Sequence, residues 1–160
     1  MNILRHRLLG LPALALLIAA VGCSSSDAHP SAAVPSPDAK VAKLCRNLDE
    51  VLPRKVGGQG RNDPEPRSAL TAGWGSPAII LRCGVERPAE MSDPDADGVE
   101  VNGVGWLLQK ENDGSFRFTT TLRQAYVEVT IPKARTAGGA GPLVDVAPAV
   151  KKAIPEGIAS

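Results

Sequence analysis

At 160 residues the chain has room for one domain with a core of modest size. Its 18 Lys and Arg against 17 Asp and Glu leave a net charge of +1, so it lacks the basic excess that phosphate backbones select, and no nucleic-acid partner is expected. Both histidines, His6 and His29, fall in the first thirty residues, which removes histidine catalysis and histidine-rich metal sites from the remainder.

Arg5, His6 and Arg7 precede Leu8 to Gly22, an uncharged run rich in Leu and Ala. That run has the length of a secretory h-region and is too short for a membrane-spanning helix. No later stretch approaches it, the best being Ala78 to Leu81. Residues 1–22 are therefore expected to be a signal peptide. Ala20-Val21-Gly22-Cys23 resembles the lipobox of bacterial lipoproteins, in which the cysteine carries a diacylglycerol and becomes the mature N-terminus; Ala20 stands where Leu is commoner. Lipidation of Cys23 would hold the protein on the extracytoplasmic side of the cell membrane, since two acyl chains anchor stably at about 0.8 kcal/mol per buried CH₂. Ser24 to Asp38 holds five Ser, three Pro and three Ala with Val34 as its one larger apolar residue, so residues 23–37 are expected to be a flexible tether. The folded domain is expected over 38–157.

Within it, Ser36-Pro37-Asp38 reads as a helix start with a hydroxyl cap and Pro at the first helical position. Val41, Leu44, Cys45, Leu48, Val51 and Leu52 recur at helical spacing until Pro53. Arg54 to Arg67 reads as a slightly basic loop, and Gly73 to Pro77 as a turn into a strand over 78–85. Val99 and Val101 share one parity and Val104, Trp106 and Leu108 the other. A bulge at Asn102-Gly103 would bring all five to one face, and a tight Asn-Gly hairpin is the competing reading. Asn112-Asp113-Gly114 turns into a strand from Phe116 to Thr121, and another runs from Tyr126 to Ile131. The last helix carries Val146, Ala147, Val150 and Ile154, with Asp145 as cap and Pro148 in the first turn. Short turns between strands imply an antiparallel sheet. The expected fold is α+β, a small antiparallel sheet of about four strands with two helices on one face.

Cys45 and Cys83 are an even pair in an exported chain and read as a disulfide between the first helix and the first strong strand. Asp93, Asp95 and Asp97, followed by Gly98, match the opening of a calcium loop, but Val104 stands where the closing Glu belongs, which leaves a solvated acidic turn as the competing reading. No catalytic set, metal centre or cofactor motif emerges. A Ser-His-Asp triad lacks its histidine, nothing in the spacing selects a Ser-Lys pair, and Gly57-Gly58-Gln59-Gly60 follows a helix rather than a strand. Of the five aromatic residues, Trp106, Phe116 and Phe118 read as core, while Trp74 between two glycines reads as the candidate binding surface. Glu128, between Val127 and Val129, should face away from the core, within reach of Arg82 or Arg123 across strands.

Trp74-Gly75-Ser76-Pro77 running into Leu81-Arg82-Cys83-Gly84-Val85, then Val101 to Trp106, then Tyr126 to Pro132, resemble domain of unknown function 3515, a family of actinobacterial lipoproteins. The likeness spans roughly Val41 to Pro155. It implies an anchored envelope protein and brings no site residues with it. The function expected is a non-enzymatic module that binds another envelope protein or a cell-wall component. The alternative is a small-ligand-binding lipoprotein with its pocket near Trp74.

Overall fold

A computed structural model describes residues 29–159. The leader and Cys23 lie outside that range. Helix α1, Ala39–Val51, buries Val41, Cys45 and Leu48 on one stripe. Its cap is Asp38 rather than Ser36: the carboxylate accepts from the amides of Lys40 (2.8 Å) and Val41 (3.0 Å). An ionised oxygen beside the positive helix end is a stronger acceptor than a hydroxyl. Pro53 ends the helix by forcing Leu52 into extended backbone.

The segment expected to be a loop folds into a two-stranded hairpin, β1 (Lys55–Val56) and β2 (Gln59–Gly60). Beyond it a six-stranded antiparallel sheet is built from β3 (Thr71–Trp74), β4 (Ile79–Cys83), β5 (Gly98–Val101), β6 (Val104–Lys110), β7 (Phe116–Thr120) and β8 (Val127–Ile131). Their order across the sheet is β3-β4-β8-β7-β6-β5. The fold is α+β as expected, with six strands in the main sheet rather than about four. Strand β3 falls where a turn was expected. Gly73 is small there because Asn62 crosses it: the Asn62 amide donates to Gly73 O at 2.7 Å, and a Cβ on Gly73 would strike Asn62 O. Arg61 bridges to Trp74, so this crossing segment covers the sheet edge.

At Asn102-Gly103 the chain makes the tight hairpin rather than the bulge. Both residues have positive φ, 51° and 77°, the geometry that matches the twist of a two-residue hairpin. The hairpin still places Val99, Val101, Val104, Trp106 and Leu108 on one face, because Val99 pairs with Trp106 and Val101 with Val104. With Leu81, Phe118, Val127, Val129 and Ile131 they meet both helices in one core.

Helix α2, Leu143–Ala153, carries Pro148 in its second turn, not its first. Pro148 has no N–H for the Val144 carbonyl. The Asn102 side chain donates to that carbonyl instead, at 3.2 Å. Arg123, buried, donates to Ile154 O at the end of α2 and to Gly103 O, both at 3.1 Å. Turn and helix are thus joined twice. Asp145 does not cap α2; its carboxylate accepts from the Gly57 amide of the β1–β2 turn at 2.8 Å. Cys45 and Cys83 form the disulfide between α1 and β4.

The segment expected to be the far end of a flexible tether is pinned. Ser31 bridges to Glu65, Glu65 N donates to Pro30 O at 2.8 Å, and Ala32 N donates to Glu65 O at 3.2 Å. Pro37 packs so closely on Gly84 that a Cβ there would meet its ring at 2.6 Å. Backbone hydrogen bonds and proline rings with little entropy to lose hold a stretch whose side chains alone could not.

Candidate functional site

The helices cover one face of the sheet. The other follows from register: Arg82 of β4 lies opposite Glu128 of β8, Glu128 opposite Thr119 of β7, and Arg117 of β7 opposite Gln109 of β6. Alternation along β4, β7 and β8 sends these polar residues away from the core that Leu81, Phe118 and Val129 enter. Arg82 Nη1 donates to Glu128 Oε1 at 3.1 Å, and Arg82 Nε donates to Ala33 O of the pinned strap at 2.9 Å. Arg117 Nε stands 3.7 Å from Glu128 Oε2, while Arg117 Nη2 reaches Glu111 at 3.2 Å. The Glu128 side chain is only 11 % exposed.

Four buried side-chain polar atoms among the described residues have no hydrogen-bond partner, and three of them, Gln109 Oε1, Arg117 Nε and Thr119 Oγ1, are on this face. An orphaned buried polar atom costs about 1–3 kcal/mol, and all three lie in β6 and β7. A cleft lined by Arg82, Gln109, Arg117 and Glu128, but not by Thr119, has a volume of about 880 Å³. Pro35 to Asp38 forms one wall and the Gly84 to Glu90 loop another. Its charged lining is Arg82, Arg87 and Arg117 against Asp38, Glu86, Glu90 and Glu128.

Beside it lies a less polar groove of about 450 Å³, with Met91, Leu107, Leu122 and Ile158 on its walls and Tyr126 shared by both depressions. Leu122 is 71 % exposed and holds a left-handed φ of 53°, which costs a leucine roughly 1–2 kcal/mol.

Trp74 is no binding surface. It is fully buried in β3, its Nε1 donates to Pro53 O at 3.0 Å, and the Arg61 guanidinium lies 5.3 Å from its ring centre. It lines neither the polar cleft nor the less polar groove. Its buried indole N–H needs a partner, and the Pro53 carbonyl just after α1 supplies it. Asp93, Asp95 and Asp97 are not brought together: Asp93 accepts from the Asp95 amide at 2.9 Å, and Asp97 accepts from Lys110 Nζ at 3.4 Å. No group of three metal-ligating residues forms among the described residues. Of the two arginines considered for Glu128, Arg82 pairs with it and Arg123 is committed to α2. Arg117, Gln109 and Thr119 were missed, although each is a polar residue alternating with Leu108 or Phe118 and register alone could have gathered them. The Asp113 carboxyl, in the β6–β7 turn, is held below its ordinary pKa because the Ser115 hydroxyl and amide donate to it at 2.6 and 2.8 Å.

The family of proteins of unknown function DUF3515 matches residues 8–159. The chain belongs to that family. No curated protein and no solved structure matches it. DUF3515 membership thus covers the whole described domain, polar cleft included, and assigns it no activity. No helix among the described residues of this DUF3515 chain is long and apolar enough to cross a membrane.

Proposed function

We propose that the protein is an exported lipoprotein, attached through Cys23 to the outer face of the cytoplasmic membrane, whose domain is a non-enzymatic binding module of the cell envelope working through the polar cleft. The observation that carries this reading is Glu128, buried on the helix-free side of the sheet between Arg82 and Arg117 in the lining of the cleft. A buried ion pair of this kind adds little or nothing to stability over an apolar pair of similar volume. Binding would give those charges a use, and the cleft wall made by Pro35 to Asp38 belongs to the segment that would lead back to the proposed lipid on Cys23.

Two measurements test it. Cys23→Ala should move the protein from the membrane fraction to the soluble exported fraction; retention on the membrane would refute the anchor. Envelope extracts fractionated by size and charge should contain a component that slows hydrogen exchange around Arg82, Arg117 and Glu128, and an extract with no such component would refute the cleft as the working surface. A second reading, contact with another envelope protein, is favoured by exposed Leu122 and Ile158 around a groove whose charged lining is Arg87 with Asp93, Asp97 and Glu100, which suits an apolar segment. Crosslinking in cells from a photoreactive residue at 122 separates the two, since a protein partner would be captured there and not in the cleft.

A further inference from the structure

We infer that the β5 edge of the sheet pairs with the β5 edge of a second copy of this chain, a self-association that does not depend on the cleft. The two edges of the sheet differ. The Arg61–Asn62 segment crosses β3, whereas β5 has β6 on one side and no backbone partner on the other among the described residues. Register tells which groups are left over. Val101 pairs with Val104 across the two-residue turn, Val99 pairs with Trp106, and Asp97 O accepts from Leu108 N at 2.8 Å. The peptide groups of residues 97, 99 and 101 therefore turn toward β6, and those of Gly98 and Glu100 turn outward. Gly98 and Glu100 are exposed, and Val99 and Val101 are only half-buried at the rim of the core.

Such an edge accepts another strand, and this one fits its own copy. Antiparallel pairing with Val99 on the twofold axis sets each Gly98 opposite the partner's Glu100 and satisfies the outward N–H and C=O groups of both. Glu100 then faces a glycine rather than a second carboxylate, which avoids the like-charge opposition that a ladder penalises. Arg87 lines the same groove as Gly98, and its guanidinium donates to Ser92 Oγ and Met91 O, not to a carboxylate. It is a cation on the side from which the partner's Glu100 arrives. Charge along the strand agrees. The chain enters β5 through Asp93, Asp95 and Asp97, and leaves it at a turn where Lys151 Nζ lies 3.1 Å from the position of a Cβ on Gly103. Antiparallel pairing brings the acidic entry of one copy to the basic exit of the other, while parallel pairing would set acid beside acid. Val144, 51 % exposed, adds an apolar side chain beside that turn. A strand of four residues with one turn falls at the small end of specific interfaces, about 1,200 Å² or less, so the dimer is weak and reversible.

Full-length protein in detergent micelles is followed by native mass spectrometry over a concentration series, and cysteines are placed singly in β5. The expected result is a dimer whose share grows with concentration. Val99→Cys should crosslink copy to copy under mild oxidation, since facing residues at a non-hydrogen-bonded site stand about 4.5 Å apart, within disulfide reach. Val101→Cys, with its twin about 14 Å away, should crosslink at least about tenfold more slowly. The wild type reports any crosslinking through Cys23. Glu100→Pro removes an outward N–H and no β5–β6 hydrogen bond, so it should abolish the dimer and leave the fold. Lys151→Glu, which acts twice in a symmetric pair, should weaken the dimer about tenfold. Should Glu100→Pro unfold the protein, the comparison of Val99→Cys with Val101→Cys decides. A monomer across the whole series, or equal crosslinking at 99 and 101, would overturn the proposal. So would a dimer that survives Glu100→Pro and is not trapped by Val99→Cys, because its interface would lie elsewhere.

Discussion

Replacing Asn102 by Gly isolates one hydrogen bond that stands in for a missing helical one. Pro148 leaves Val144 O without its usual donor, and Asn102 Nδ2 reaches it at 3.2 Å. Asn102 also sits at φ 51°, which glycine adopts without penalty, so Asn102→Gly removes the donor and keeps the turn. The loss is one neutral, partly exposed hydrogen bond, about 1 kcal/mol. Asn102→Ala adds the lower tolerance of alanine than asparagine for the left-handed region, for a total of about 2 kcal/mol. In a Pro148→Ala background the helix regains its own N–H for Val144 O, and Asn102→Gly should then cost close to nothing. Urea unfolding of the four proteins gives the coupling directly, expected at about 1 kcal/mol. If Asn102→Gly costs the same in both backgrounds within about 0.3 kcal/mol, the side chain is not substituting for the proline's missing donor.

Other outcomes follow from the same geometry. Replacing both Cys45 and Cys83 by Ala opens a loop with a sequence separation of 38, which chain entropy values at about 4 kcal/mol, and the melting temperature should fall by roughly 10 °C or more in calorimetry. Gly105→Ala would drive a Cβ to 2.5 Å from Thr121 Oγ1, so it should destabilise by about 1–3 kcal/mol in the same urea assay while Gly58→Ala, which meets no neighbour, should show only the strain of its positive φ. Asp113 has a folded pKa below its ordinary value; its contribution to stability is therefore fully present above the ordinary carboxylate range and is lost as pH falls through the lower folded value. NMR titration should show its midpoint raised toward the ordinary value in Ser115→Ala.

Periodicity made α1 legible, and an even pair of cysteines in a chain expected to be exported made the disulfide legible, because both are local or two-body statements. The strand over Ile79–Cys83 and those at Phe116 and Val127 also followed from short apolar runs. Strand β3 did not, because Gly73 and Gly75 carry the composition of a turn; one of those glycines instead makes room for Asn62, which lies far enough along the chain that no local window includes both. Trp74 was misplaced for the same reason. The cleft was half visible. Alternation exposed Glu128 and named Arg82 as a partner, but Arg117 and Gln109 reach it only through the β6-β7-β8 register, and the strap became a wall only once Pro37 met Gly84. In the acidic turn the Asp-x-Asp-x-Asp spacing was real, yet each carboxylate found a nearer use.

The strand order has a consequence for how the domain comes apart. Strands β5 to β8 form a continuous meander, and β3 with β4 forms a separate hairpin; the two meet along a single seam where β4 pairs with β8, from Ile80 opposite Thr130 to Cys83 opposite Val127. Everything else in the sheet is joined to its neighbour in sequence, so this long-range contact is the natural line of sub-global opening. The disulfide fastens β4 to α1, not to β8, and does not sew the seam. Arg82 and Glu128 face each other directly across it. Any molecule held by Arg82 on one side and Arg117 on the other is a stitch over that line, and its binding energy would add to the work of parting the two halves.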